Sequence, residues 1–297
     1  SMSEQSKKQS FLGGAAILAG AVAVVKVIGA LYKLPLNNIL GDVGKTYFQT
    51  AYEIYNVLLT VSTAGLPLAI SKLTSQAHAR GRENEKRKIF RTAIWLFFAL
   101  GLIGSCLMFF GAQGLADFQR NSMAAAPIRA LAPAVFCVCL LACMRGYTQG
   151  QGNMGPTAVS QVLEALCKLG VGLPLAWYIL KKTQEAGNAA QLAAGSDGME
   201  NVAAGAIFGV TVGTILSMVF LILYLLRHRD NTPSDDVPRS GGYLLRRILA
   251  IGVPITLGNC AMSIITMIDT KIILGRLQTG LGLTEVAASA LKGQYSY

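Results

Sequence analysis

The apolar positions of this chain fall in long, nearly unbroken runs separated by short polar stretches. A hydrocarbon core about 30 Å thick needs roughly 20 mostly apolar helical residues to cross it. By that measure seven spans are expected, at 11–32, 47–71, 89–111, 124–144, 157–180, 202–226 and 245–268, and an eighth begins near Thr284. Val, Ile and Leu dominate these runs, yet strands are excluded, because the runs are too long and period-2 alternation is absent. Gly65-Leu-Pro67 and Gly252-Val-Pro254 lie inside spans, where such residues permit close packing and bending. The expected fold class is an all-α polytopic membrane protein.

Composition narrows the choice of function. Of 297 residues, 53% are hydrophobic and 14% charged, with a mean hydropathy of +0.48. A soluble domain carries about 25% charged residues. So apolar a chain cannot stay solvated and disordered. Its six cysteines are spread through apolar runs, which excludes a secreted disulfide framework. The net charge of +11 first suggests nucleic acid, but the basic residues cluster between the spans, and no nucleic-acid partner is expected. With the N-terminus in the cytoplasm, fifteen Lys and Arg fall inside and seven outside. That bias places the loops 78–88 and 228–242 in the cytoplasm and 184–196 outside. Attraction of the basic loops to inner-leaflet lipid follows from the same charges.

Two familiar motifs carry little. Gly150-Gln-Gly152-Asn-Met-Gly155 spells a dinucleotide fingerprint but follows an apolar span instead of a strand and runs into Pro156. Cys139 and Cys143 stand one helical turn from each other near Cys137, and they read as small buried hydrophobes because further ligands are missing. No cofactor, no metal and no catalytic constellation is expected.

Ionisable groups at membrane depth are different. Each costs at least about 2.5–3.5 kcal/mol, so each is a functional candidate. Lys26 and Lys33 lie seven residues apart, hence about 20° apart on one helix face. Lys33 is near the outer end, where it can snorkel. Gln49, Glu53 and Asn56 form a polar stripe on the second span, and Glu164 and Lys168 have the i, i+4 order that favours a helical ion pair. Lys26 and Glu53 both fall within about 10 Å of the outer surface, so they are expected to share a cavity. Polar stripes on several spans imply a solvated cavity between helices.

Three strings are similar to a known family. Gly65-Leu-Pro-Leu-Ala-Ile-Ser-Lys-Leu73 resembles the end of the second helix of the SpoVB/MurJ-like polysaccharide biosynthesis family. Arg145-Gly-Tyr-Thr-Gln-Gly150, with Asn153-Met-Gly-Pro-Thr-Ala158 and Ser160-Gln-Val-Leu-Glu164, resembles its join between helices four and five, and Lys26-Val-Ile-Gly29 with Tyr32-Lys33-Leu-Pro35 its first helix. The likeness is nearer the Gram-positive branch than the Gram-negative lipid II flippases. It implies a MATE-like fold of fourteen helices in two lobes around a central cavity. On that plan residues 1–10 are a cytoplasmic tail, 11–226 a first lobe of six helices, 227–244 a cytoplasmic inter-lobe loop, and 245–297 the truncated start of the second lobe. Ser1-Met2 reads as a cloning scar, and the chain is expected to be a fragment.

The resemblance also implies a function: flipping of undecaprenyl-pyrophosphate-linked sugars, lipid II above all, across the bacterial cytoplasmic membrane by alternating access. Lys26 matches one cationic cavity position of the family's first helix, whereas a second falls at Tyr32, where Lys33 can substitute. Lys26, Lys33, Glu53, Arg145, Glu164 and Lys168 are the candidate substrate-binding residues, with Glu53 expected to hold Lys26 while the cavity is empty. The expected partners are the anionic head group, membrane lipids and cell-envelope synthesis proteins. The alternatives are a cation-coupled drug exporter, which favours an acidic cavity, and a non-transporting scaffold, which needs no intramembrane charge.

Overall fold

The structure, a computed structural model, describes residues 2–63, 65–188 and 198–295. Among these every regular element is helical. Helix α1 (Met2–Thr63) carries the first two spans end to end and bends at Gly41, where φ is 61° and ψ −173°. Glycine tolerates that backbone conformation because it has no Cβ. The connection between the first two spans is thereby a single-residue bend within helix. The second span departs from expectation. It breaks at Gly65 and resumes as α2 (Leu66–Ala79), with Pro67 in its first turn, where a missing N–H leaves no hydrogen bond unmade.

The chain continues through α3 (Glu83–Phe110), the short α4 (Ala112–Phe118), α5 (Ala125–Gly150) and α6 (Gly155–Cys167). A π-helical turn, Lys168–Gly172, joins α6 to α7 (Leu173–Thr183). Then come α8 (Met199–Arg227), α9 (Gly241–Gly280) and α10 (Glu285–Tyr295). Among the described residues six helical stretches are long and apolar enough to cross a membrane, and the first, Leu12–Ala79, holds two expected spans on either side of Gly41. The expected outer loop 184–196 lies, from residue 189 onward, outside the described residues. Gly150–Gly155 forms the turn between α5 and α6, so it opens no nucleotide-binding βαβ unit.

Helix α5 is the axis of the larger apolar core. It is apolar nearly all round, the mark of a helix enclosed by others. Ile128, Leu131, Val135 and Leu141 are fully buried there against Phe97 of α3, Ile70 of α2 and Ile207 of α8. Cys139 and Cys143 belong to the same core. The arm of α1 before Gly41 buries one narrow stripe, Ala21, Ile28, Tyr32, Leu36 and Leu40, while Val22, Val27, Leu31 and Leu34 are exposed. Such one-sided burial is expected where the remaining faces meet hydrocarbon or further protein.

Helix α9 crosses the others at closest range where the two Gly-x-Pro strings meet. A Cβ on Gly65 would lie 2.0 Å from the Gly252 carbonyl oxygen, and one on Gly252 would lie 2.5 Å from Leu66 Cδ2. The Gly65 N–H donates to Thr256 Oγ1 at 3.0 Å, which satisfies a donor freed by the helix break. Each string was expected to permit close packing; they pack on each other.

The segment between α8 and α9 is docked on the first turn of α3. Asp236 accepts the backbone N–H groups of Asn84 and Glu85, each at 3.0 Å, and so caps a helix 150 residues earlier in the chain. Asn84 Nδ2 donates to the carbonyls of Ser234 and Asp236, and Arg82 donates to that of Val237 at 3.0 Å. Buried Lys86 donates to Asp230 at 2.5 Å and also pairs with Glu83.

A candidate site of buried charge

Three clusters gather Glu53 with Lys292, Arg145 with Glu164, and Lys168 with two tyrosines, and these partners differ from the sequence expectation. On the arm of α1 after Gly41, Glu53 is 7% exposed and faces Lys292 of α10, itself 8% exposed. The two charges are 3.7 Å apart. Thr270 of α9 completes the cluster: its hydroxyl donates to Glu53 Oε2 and accepts from Lys292 Nζ at 2.8 Å. Glu53 is therefore held by Lys292, and the expected pairing with Lys26 is not what the structure shows. A charge is tolerated at this burial only if paired and hydrogen-bonded, and all three groups meet that condition.

The Glu53 cluster lines a cavity of about 370 Å³ together with Gln49, Thr266 and Asp269. Gln49 and Glu53 of the polar stripe reach it, whereas Asn56 is exposed and not among its lining residues. Asp269 follows directly on the expected seventh span, 245–268. The helix runs on to Gly280, so Asp269 lies within α9 and not at its end.

In the second cluster Arg145 of α5 donates to Ser160 Oγ at 2.9 Å and to Glu164 Oε2 at 3.1 Å. This pair ties α5 to α6, with Arg145 and Glu164 only 16% and 23% exposed at their side chains. The expected Glu164–Lys168 pair does not form. Lys168 keeps the α6 register, its backbone N–H still bonded to the Glu164 carbonyl, but the Glu164 carboxylate is taken by Arg145 and the lysine side chain meets two tyrosines.

Lys168 instead forms the third cluster. Its Nζ lies 5.9 Å from the Tyr32 ring centroid and 5.5 Å from that of Tyr52, whose hydroxyl it meets at 3.4 Å. Cation–π attraction is worth about 2 kcal/mol or more when desolvated, and it replaces the missing carboxylate. Tyr32, the position where the family resemblance implied a cation, donates its hydroxyl to the Ala206 carbonyl at 3.2 Å. Lys26 and Lys33 share one exposed face of α1, as their spacing predicts, and among the described residues neither has an ion-pair partner.

Lys292 and Thr270 were missed by sequence reasoning. The signal was present in one of them: Lys292 follows the apolar run 286–291, so the rule that marked Lys26 marks it too.

Comparisons with known proteins bear on family and fold. The family model described as "Polysaccharide biosynthesis protein" matches residues 11–291. The chain is 25% identical over 291 residues to "Stage V sporulation protein B" of Bacillus subtilis (strain 168), covering 97% of this chain and 53% of that protein. It is 28% identical over 179 residues to "Lipid II flippase MurJ" of the same organism, covering 57% of this chain and 33% of that one. The chain thus spans about half or less of the length of these relatives. A solved structure described as an inward-facing conformation of a multidrug resistance MATE family transporter of the MOP superfamily superposes with a TM-score of 0.62 at 14% identity, covering 88% of this chain and 56% of that one. The last likeness is one of fold: an all-helical, MATE-like membrane protein.

Proposed function

The chain belongs to the polysaccharide biosynthesis protein family, and from that premise we propose that it forms the first part of a flippase for undecaprenyl-pyrophosphate-linked sugars, with lipid II as the cargo. The first six spans constitute one lobe, and α9 and α10 begin a second. The N-terminus and the docked 228–240 segment face the cytoplasm, as the distribution of basic residues favours.

The observation that carries this reading is the buried Glu53–Thr270–Lys292 cluster, which joins α1 to α9 and α10 beside a cavity. A pyrophosphate sheds its water in a membrane only where fixed cations replace it. Lys26 and Lys33 offer unpaired ammonium groups on one face of α1, and Lys292 offers one that Glu53 holds until an anion competes for it. Arg145–Glu164 and Lys168 with its two tyrosines act as the braces that keep α1, α5 and α6 in register around the path. Asp269 and Glu53 also suit a cationic drug, but Lys292 neutralises Glu53 in place, so an anionic cargo is favoured.

Complementation of a lipid II flippase depletion by the full-length gene tests the proposal. Rescue is expected from the unaltered gene, loss of rescue from Lys26→Ala and retention of much of it from Lys26→Arg. Failure of the unaltered, expressed protein to rescue would refute lipid II as its cargo.

A further inference from the structure

A second cavity, of about 890 Å³, opens between the ends of α3, α5 and α8 and the docked segment, and it shares no lining residue with the first. The charges around it are Arg87, Arg91 and Arg229 against Asp230 and Asp235. Arg87 is fully engaged, donating to Asn84 Oδ1 at 3.0 Å, to the Asp230 carbonyl at 3.1 Å and to that of Thr232. Asp230 is taken up by Lys86. Arg91, Arg229 and Asp235 remain. All three are exposed, and among the described residues none has a hydrogen-bond or ion-pair partner, so two free guanidinium groups outnumber one free carboxylate.

The apolar surroundings say what kind of anion fits. Leu226 lines the cavity at 61% exposure, and Leu223 and Val219 continue the same face of α8 into the span at 60% and 41%. On α3, Trp95 stands one turn beyond Arg91 and is 69% exposed. Cations at the rim, an indole one turn deeper and an aliphatic strip beyond it follow the depth profile of a phospholipid, from phosphate through interface to acyl chain. A free inorganic anion would have no use for the strip.

We propose that this cavity holds the headgroup phosphate of an anionic phospholipid, from the leaflet on the side of the α2–α3 turn. Arg91 and Arg229 donate to the phosphate oxygens, a pairing for which the guanidinium fork is better shaped than an ammonium. One acyl chain follows Leu226, Leu223 and Val219. The site does not depend on what the protein transports.

Native mass spectrometry and thermal unfolding of the purified chain test this, in uncharged detergent micelles containing phosphatidylglycerol, phosphatidylcholine or added inorganic phosphate. Phosphatidylglycerol is expected to stay bound and to raise the melting temperature, with the other two leaving it unchanged. The double variant Arg91→Gln, Arg229→Gln should weaken phosphatidylglycerol at least tenfold without altering the lipid-free melting temperature. Lys181→Gln with Lys182→Gln, at the far end of α7, should leave it as it is. Equal retention of phosphatidylcholine overturns the proposal on the unaltered chain alone. So does stabilisation by inorganic phosphate at the same concentration, which would assign the cavity to a free anion, or an equal loss in the α7 variant, which would reduce the effect to surface charge.

Discussion

Arg145 and Glu164 are a pair whose worth depends on which half is removed. Taking away one member of a buried pair leaves an uncompensated charge and costs about 3–5 kcal/mol, while replacing both with neutral groups of similar shape is often close to neutral. Arg145→Gln should therefore lower the melting temperature sharply, and adding Glu164→Gln should recover most of the loss. Thermal unfolding of the two single variants and the double measures the coupling; additive losses would show that the pair holds nothing together. The residues of this pair were legible in the sequence, but their partners were not. Glu164 and Lys168 have helical ion-pair spacing and keep it, yet Arg145 of another helix claims the carboxylate, a competition that local spacing does not encode. Glu53 finds Lys292 more than two hundred residues away, a pairing that no local pattern encodes.

Among the elements, α3 depends on a cap it does not own. Neither Arg82 nor its neighbours supply a side-chain cap; Asp236 does. Burial tends to raise the Asp236 carboxyl, but hydrogen bonds from Ser234 and from the Asn84 and Glu85 amides outweigh it and hold it below the usual carboxylate range. Asp230 is held low as well, first by its hydrogen bond from Lys86 and then by Thr232. Since both folded-state values lie below the unfolded value of about 3.9, their contribution is complete above that pH and fades as pH falls through it. Hydrogen exchange at Asn84 and Glu85, corrected for intrinsic rates, should be constant from pH 7 to 5 and rise below about pH 4. Asp236→Asn should speed it about fivefold already at pH 7, equivalent to about 1 kcal/mol. Constant protection down to pH 3 would deny the carboxylate its role. The helices themselves were readable because twenty apolar residues leave little else to form. The docked segment was not, since its sequence, rich in Asp, Ser and Pro, reads as an ordinary polar loop.

For the whole molecule, orientation is the first thing to measure. With the native cysteines replaced, a cysteine at position 84 should be silent to an impermeant reagent in intact cells, and one at position 185 should react. The opposite pattern would invert the proposed topology. The general plan was legible from the spacing of apolar runs, whereas the fit of Gly65 on Gly252 was only half visible, as two separate permissions to approach. That contact also has a mechanical consequence. The cord between α8 and α9 is tied down, so any swing of α9 must pivot where backbone touches backbone, with Gly252 as fulcrum. From there to Thr270 is about 27 Å along the helix and to Gly280 about 42 Å. A tilt of roughly 10° would carry Thr270 about 5 Å and Gly280 about 7 Å, by the same helical rise. Five ångströms exceeds the reach of a hydrogen bond, so a small rotation at the glycine crossing would be levered into release of Glu53.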